Sequence, residues 1–313
     1  MRLRSLYVWR QIGYFALAFW AVLTLSFFIP NLPGLHHPLF EGDRFGGEPL
    51  GSSAGYLDYL GNVAHLDFGD SVVPPFGSVG GLVLGALPWT LLLVGTGTII
   101  SLTLGSTLGI VLAWYRGTIL DTIFSPAMIF ATSIPYYFVA MILVYVLAID
   151  LNWFPYADAY SPDLTPEFTR LFIGDVIQHA VLPVVAVVAA TFGLWVLPMR
   201  NAMVGVMDDE FMTVARAKGL RSRRLMLAYA ARNVLLPIAT NFAIQLGYVV
   251  GGAVFVEVVF NYPGLGRLLV QSVLNHDYST VQALMLLAAL VVLLASLVTR
   301  LLYPRLDPRL RSE

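Results

Sequence analysis

The chain has 313 residues, 58 % of them hydrophobic and 12 % charged, with a mean hydropathy of +0.77 and a formal net charge of −1. Soluble domains carry roughly 25 % charged residues, so half that level, in long uncharged runs, describes a chain solvated by lipid. The charge balance gives no reason to expect nucleic acid, and the absence of cysteine excludes disulfides, thiolate metal sites and a cysteine nucleophile.

A hydrocarbon core of about 30 Å needs about 20 apolar residues per helix. Six segments meet that requirement, at about 11–30, 87–115, 122–149, 176–199, 234–256 and 281–302, and their interiors hold no Asp, Glu, Lys or Arg. Ahead of the first stand Arg2, Arg4 and Arg10, but no small-residue cleavage site follows, so this span is expected to be retained as a membrane helix. Residues 31–86 form a Gly- and Pro-rich loop with a short amphipathic helix expected around Tyr56 to Leu66. The loop 150–175 sets acids beside Trp153, Tyr156 and Tyr160, ring types suited to the membrane interface. Residues 200–233 form a long loop between the fourth and fifth spans. With no internal repeat, the chain reads as one transmembrane domain over 1–313, an all-α polytopic fold.

Positive charge sets the orientation. With the amino terminus inside, every Lys and Arg falls on the cytoplasmic side except Arg44, Arg170 and Arg267. Both termini are therefore expected in the cytoplasm, in a multi-pass cell-membrane protein.

The motifs of common enzymes are missing. There is no G-x-x-x-x-G-K-[ST] phosphate loop, no H-E-x-x-H pair and no G-x-S-x-G elbow. The five histidines are dispersed: His36 and His37 in the first loop, His65 and His276 in outside segments, His179 near the outer end of the fourth span. No catalytic, cofactor or metal residue can be assigned. Ion-coupled carriers usually hold ionisable groups at membrane depth. The polar residues inside these spans are neutral, such as Asn241 and Gln245, which disfavours a secondary carrier or channel and fits energy supplied from outside the bilayer.

The loop from Asp208 to Pro237 reads DDEFMTVARAKGLRSRRLMLAYAARNVLLP. Phe211, Val214, Ala215, Leu220, Leu225 and Leu227 recur near helical spacing among charges, an amphipathic pattern outside the bilayer. Gly219 should end a first helix, because Gly suits the position just past a helix C-terminus, and Lys218 there favours the helix dipole. Ala215 and Ala217 would keep the surface thin for a partner's groove. A basic helix lying on lipid headgroups is the other reading of this pattern.

Order and spacing carry more than charge. Against the general EAA motif of ABC-importer permeases only Ala215 and Gly219 match. The loop resembles instead the oligopeptide/dipeptide/nickel (B-type) permeases, whose core is close to T-A-R-A-K-G-L and then H-A-L-R-N-A-L-L-P. Thr213, Ala215, Arg216, Ala217, Lys218, Gly219 and Leu220 match, followed by Ala230, Arg232, Asn233, Leu235, Leu236 and Pro237. H-L-D-F-G-D-S at 65–71, L-P-W-T-L-L-L at 87–93, S-I-P-Y-Y-F at 133–138 and G-G-A-V-F-V-E-V-V-F-N-Y-P-G-L-G-R-L at 251–268 resemble further stretches of that family. Pro33-Gly34-Leu35 departs from its usual P-G-D-P.

The resemblance implies a type I importer permease, not itself an enzyme, paired with a second C-type permease. It further implies two ATPase subunits that bind the ATP, an extracytoplasmic solute-binding protein, and peptides as cargo, with oligosaccharides or nickel as family alternatives. Glu210, Phe211, Thr213, Ala215, Arg216, Ala217, Lys218, Gly219 and Leu220 would couple to the ATPases. Glu257, Pro263, Gly264 and Gly266 would form an outer gate or scaffold.

Overall fold

The computed structural model describes residues 2–28, 53–72, 74, 76–234 and 253–306. In chain order come α1 (Arg2–Phe28), α2 (Ser53–Ala64), a two-residue hairpin of β1 (Asp70–Ser71) and β2 (Gly77–Ser78), and α3 (Val79–Trp114). Then follow α4 (Ile119–Thr132), α5 (Tyr136–Leu143), a π-helical stretch Val144–Asp150, α6 (Arg170–Met207), α7 (Glu210–Ala217), α8 (Ser222–Arg224) and a second π-helical stretch Leu225–Ala231. The helical residues 253–259 (α9), α10 (Leu265–Leu274) and α11 (Tyr278–Leu306) complete the described chain. The protein is mostly helical.

Among the described residues, four helices are long and apolar enough to cross a membrane: Tyr7–Phe28 within α1, all of α3, all of α6, and Tyr278–Leu301 within α11. They coincide with the first, second, fourth and sixth expected spans. The fifth, 234–256, lies outside the described residues except for its two ends. At about 1.5 Å per residue α6 extends about 57 Å, well beyond the apolar stretch 176–199.

The third expected span, 122–149, is not one straight helix. α4 and the run Tyr137–Asp150 meet at 101°. The cause is local: Pro135 lacks an N–H and pushes Ile134 out of the helical region, while the Ser133 hydroxyl donates back to the Ile129 carbonyl at 3.1 Å. A break of this kind still passes for a single apolar run in the sequence.

The chain divides into two compact units, Met1–Leu87 with Leu268–Glu313, and Pro88–Arg267. In the first, α1 lies antiparallel on α11. The Tyr7 hydroxyl donates to the Arg300 carbonyl at 3.1 Å and the Gln282 amide to the Ser26 carbonyl at 3.0 Å. Leu23, Phe27, Tyr59 and Leu286 form its buried centre. Asp277 caps α11, accepting from the Thr280 amide and hydroxyl and from Ser71 and the Val72 amide of the hairpin.

The second unit is built on α3 and α6. Gly97, Ser101, Gly105 and Gly109 fall every fourth residue on one face of α3, and α6 lies directly against it. A Cβ on Gly97 would stand 2.7 Å from Val187 Cγ1, on Gly105 2.7 Å from Trp195 Cβ, and on Gly109 2.6 Å from the Val196 carbonyl oxygen. The Thr191 hydroxyl donates to Ser101 Oγ at 2.8 Å within this seam. Small residues at four-residue spacing let apolar helices pack backbone to backbone where lipid supplies no hydrophobic drive. A second close approach, Gly193 on Thr132 and the Met128 carbonyl, seats α4 on α6.

Candidate functional site

α6 runs on to Met207, and Met199, Met203 and Met207, four residues apart, are all buried. With Ala113, Leu225, Ala230, Ala231 and Val234 they form a core onto which Met212 and Ala215 of α7 pack. Methionine side chains fill irregular gaps and adapt to shifts, so the loop sits on a continuous but pliable base. α7 starts after Asp209 in extended backbone, with Glu210 in its first turn and Arg216 in its last, both favourable to the helix dipole. It ends where sequence reasoning put the end. The Gly219 amide donates to the Arg216 carbonyl at 2.9 Å and Gly219 has φ +69°, a left-handed conformation that L side chains adopt only with strain.

The amphipathic reading of this helix needs one correction. Phe211 and Val214 were grouped with Ala215 in one apolar stripe, yet Val214 is 54 % exposed and Phe211 38 %, whereas Ala215 and Met212 face inward. Residues 212 and 215 turn to the methionine core. Ala215 packs on the methionine core and is almost wholly covered. Ala217, Thr213, Arg216 and Lys218 are exposed and Leu220 is half-buried. Phe211, Val214, Ala215, Lys218 and Tyr229 line a shallow hollow of about 290 Å³ on this face. Met212, absent from the sequence-based assignment, is the main anchor of α7; its signal was the i, i+3 pairing with Ala215.

Two ion pairs brace the base of the loop. Arg116, in the turn between α3 and α4, donates Nη1 and Nη2 to the two oxygens of Asp208 at 2.9 and 2.7 Å. Arg200, on α6, donates Nε and Nη2 to the two oxygens of Asp121, in the first turn of α4, at 2.6 Å each. Asp121 also accepts from the Ser125 hydroxyl and the Gly117 amide. The Arg116 guanidinium holds the Asp208 carboxyl below the usual carboxylate range. In the sequence these four residues counted only as charges at span ends.

The second group of expected site residues surrounds Glu257, which is fully buried. Its Oε1 accepts from the Thr90 hydroxyl at 2.7 Å, and its Oε2 from the amides of Gly266 at 2.7 Å and Arg267 at 3.1 Å. Thr90 Oγ1 in turn accepts from the Leu265 amide at 2.8 Å. The first amides of a helix have no partner inside it, and here Glu257 and Thr90 together satisfy those of α10. Gly264 and Gly266 are fixed by the fit: a Cβ on Gly264 would stand 2.3 Å from the Glu257 carboxyl, and on Gly266 2.6 Å from Val254 Cα. Pro263 opens this turn between the buried Tyr262 and Gly264. Thr90 was not foreseen, because nothing in L-P-W-T marks it as the partner of a residue so distant in sequence.

Long apolar helices seamed by small residues, with a structured loop following α6, define an integral membrane protein. Residues 105–312 match the family of binding-protein-dependent transport system inner membrane components. The chain is 33 % identical over 255 residues to the oligopeptide transport system permease protein AppB of Bacillus subtilis, covering 82 % of this chain and 79 % of that one. It is 29 % identical over 335 residues to the di/tripeptide transport system permease protein DppB of Pseudomonas aeruginosa, covering 98 % and 99 %. Over 258 residues it is 33 % identical to the glutathione transport system permease protein GsiC of Salmonella choleraesuis, covering 82 % and 79 %. The chain belongs to the family of binding-protein-dependent transport system inner membrane components. It is a multi-pass permease subunit of an ABC importer and not an enzyme.

Proposed function

We propose that this permease encloses the path of a peptide importer and that residues 210–220 of its 200–233 loop couple the path to separate ATPases. The peptide assignment rests on the relatives, which are named for oligopeptides, di/tripeptides and glutathione. The assembly pairs this chain with a C-type permease, two ATPase subunits that bind ATP, and an extracytoplasmic binding protein that selects the cargo. The chain crosses the bilayer six times, both termini in the cytoplasm. That orientation is supported by the charge asymmetry: the fragments 2–10, 116, 200–232 and 300–311 hold all the basic residues but Arg44, Arg170 and Arg267.

One observation carries the coupling role. α7 is seated from below by Met212 and Ala215 while Phe211 and Val214 are left exposed around a hollow. A loop that only rested in water would have no reason to expose these side chains beside one another. In the same reading Glu257, Pro263, Gly264 and Gly266 serve as scaffold, since every Glu257 oxygen is already engaged by the protein.

The test uses Val214→Asp, which puts a charge on the exposed face without touching the methionine core, and Gly219→Val, which strains the left-handed turn. Truncating a well-packed interface anchor costs about 2 kcal/mol or more, so retention of the ATPases on the purified permease should fall roughly thirtyfold. Transport and substrate-stimulated ATP hydrolysis should fall together at normal membrane levels of the chain. Native transport by both variants would refute the coupling role of the loop.

A further inference from the structure

The two ion pairs at the base of the loop join the same two pieces of chain with opposite polarity. The turn after α3 gives Arg116 to Asp208, which stands between α6 and α7, and the start of α4 offers Asp121 to Arg200 of α6. Both pairs are bidentate, a geometry that fixes orientation as well as distance. Further bonds tighten each end: Gly117 and Ser125 donate to Asp121, and Arg216 of α7 donates to the Met207 carbonyl at 3.3 Å.

Stability does not account for the outer pair. Arg116 and Asp208 are 43 % and 60 % exposed, and exposed ion pairs contribute little to folding. α4 is already seated on α6 by the close approach at Gly193. What the outer pair adds is a two-point link between the residue that joins α6 to α7 and the turn that precedes α4. α4 leads into the 101° break at Ser133–Pro135, where a shift at its start changes the path of an apolar segment.

We infer that Arg116–Asp208 and Asp121–Arg200 form a clamp that transmits displacement of α7 to α4, making these four residues positioning residues for coupling. This rests on the coupling role proposed for residues 210–220. The clamp acts between two elements of this chain, and none of its four residues lines the hollow at Phe211 and Val214 proposed to meet the ATPases. Loosening it should therefore leave them bound but waste their work.

The experiment reconstitutes the complete importer, with its ATPases, second permease and binding protein, and measures transported substrate per ATP hydrolysed. Arg116→Asp and Asp208→Arg each set like charges together, and the double exchange restores an opposite-charge pair. Each single variant should keep its ATPases and lower the ratio roughly fivefold or more, the range of measurable coupling between sites, and the exchange should recover most of it. A native ratio in the single variants overturns the clamp. So does loss of the ATPases or of membrane insertion, which marks a merely structural pair, and so does failure of the exchange to recover the ratio. Failure of the native chain to retain the ATPases would instead refute the coupling role itself, so the two are told apart.

Discussion

Glu257 offers the sharpest test of how the turn before α10 is held. Glutamine keeps the size of the side chain and one acceptor oxygen, but its NH2 must face either the two amides or the Thr90 hydroxyl. Facing Gly266 and Arg267, it leaves one buried and one part-buried donor without an acceptor, at about 1–3 kcal/mol for the buried one. Facing Thr90, it forces that hydroxyl to accept, and the Thr90 proton loses its partner while the remaining bonds lose their charge assistance. The cheaper route still costs about 2 kcal/mol. For a unit of this size that corresponds to a fall of about 4–8 °C in apparent melting midpoint. The assay is the thermal midpoint of the purified permease in detergent, followed by size-exclusion recovery, with Thr90→Val expected to fall by a similar amount. Gly264→Ala, whose methyl would stand 2.3 Å from the carboxyl, should be worse than either. A Glu257→Gln protein that melts with the native protein but fails to transport would refute the scaffold and make the carboxyl part of a gate.

Further outcomes are expected elsewhere. Gly109→Val should prevent α3 from seating on α6, because the nearest atoms are backbone or Cβ and cannot rotate away; overpacking of this kind costs about 1–3 kcal/mol, read as reduced folded yield, and a native yield would contradict the seam. In this cysteine-free chain, Arg221→Cys should be labelled by an impermeant thiol reagent only from the cytoplasmic side and Asp163→Cys only from outside, the reverse pattern refuting the orientation. The Asp208 carboxyl is held down by the Arg116 hydrogen bond. Its contribution is therefore complete above the ordinary aspartate value of about 3.9 and is lost only as pH falls through the lower folded value. The stability difference between the native chain and Arg116→Gln should accordingly be flat from about pH 5 to 8 in thermal melts, and a difference that titrates near neutrality would assign it to another group.

Membrane residence, four of the apolar helices, α2, and the stop of α7 before Gly219 were all legible in the residues. These properties follow from local rules: span length against bilayer thickness, helical period, and the φ preference of glycine beyond a helix end. The order and spacing of the 213–237 motif likewise sufficed to place the chain in its family. Tertiary structure decided what depends on a partner distant in sequence. Only packing on Met199, Met203 and Met207 shows that Ala215 faces inward and leaves Phe211 and Val214 outside. The break at Pro135 lay hidden in an apolar run, because hydropathy carries no direction. Glu257 with Thr90, and Arg116 with Asp208, are separated by 167 and 92 positions. A hydrogen bond acts only over its final few ångströms, so its partner is chosen by the path of the whole chain and not by the residues on either side.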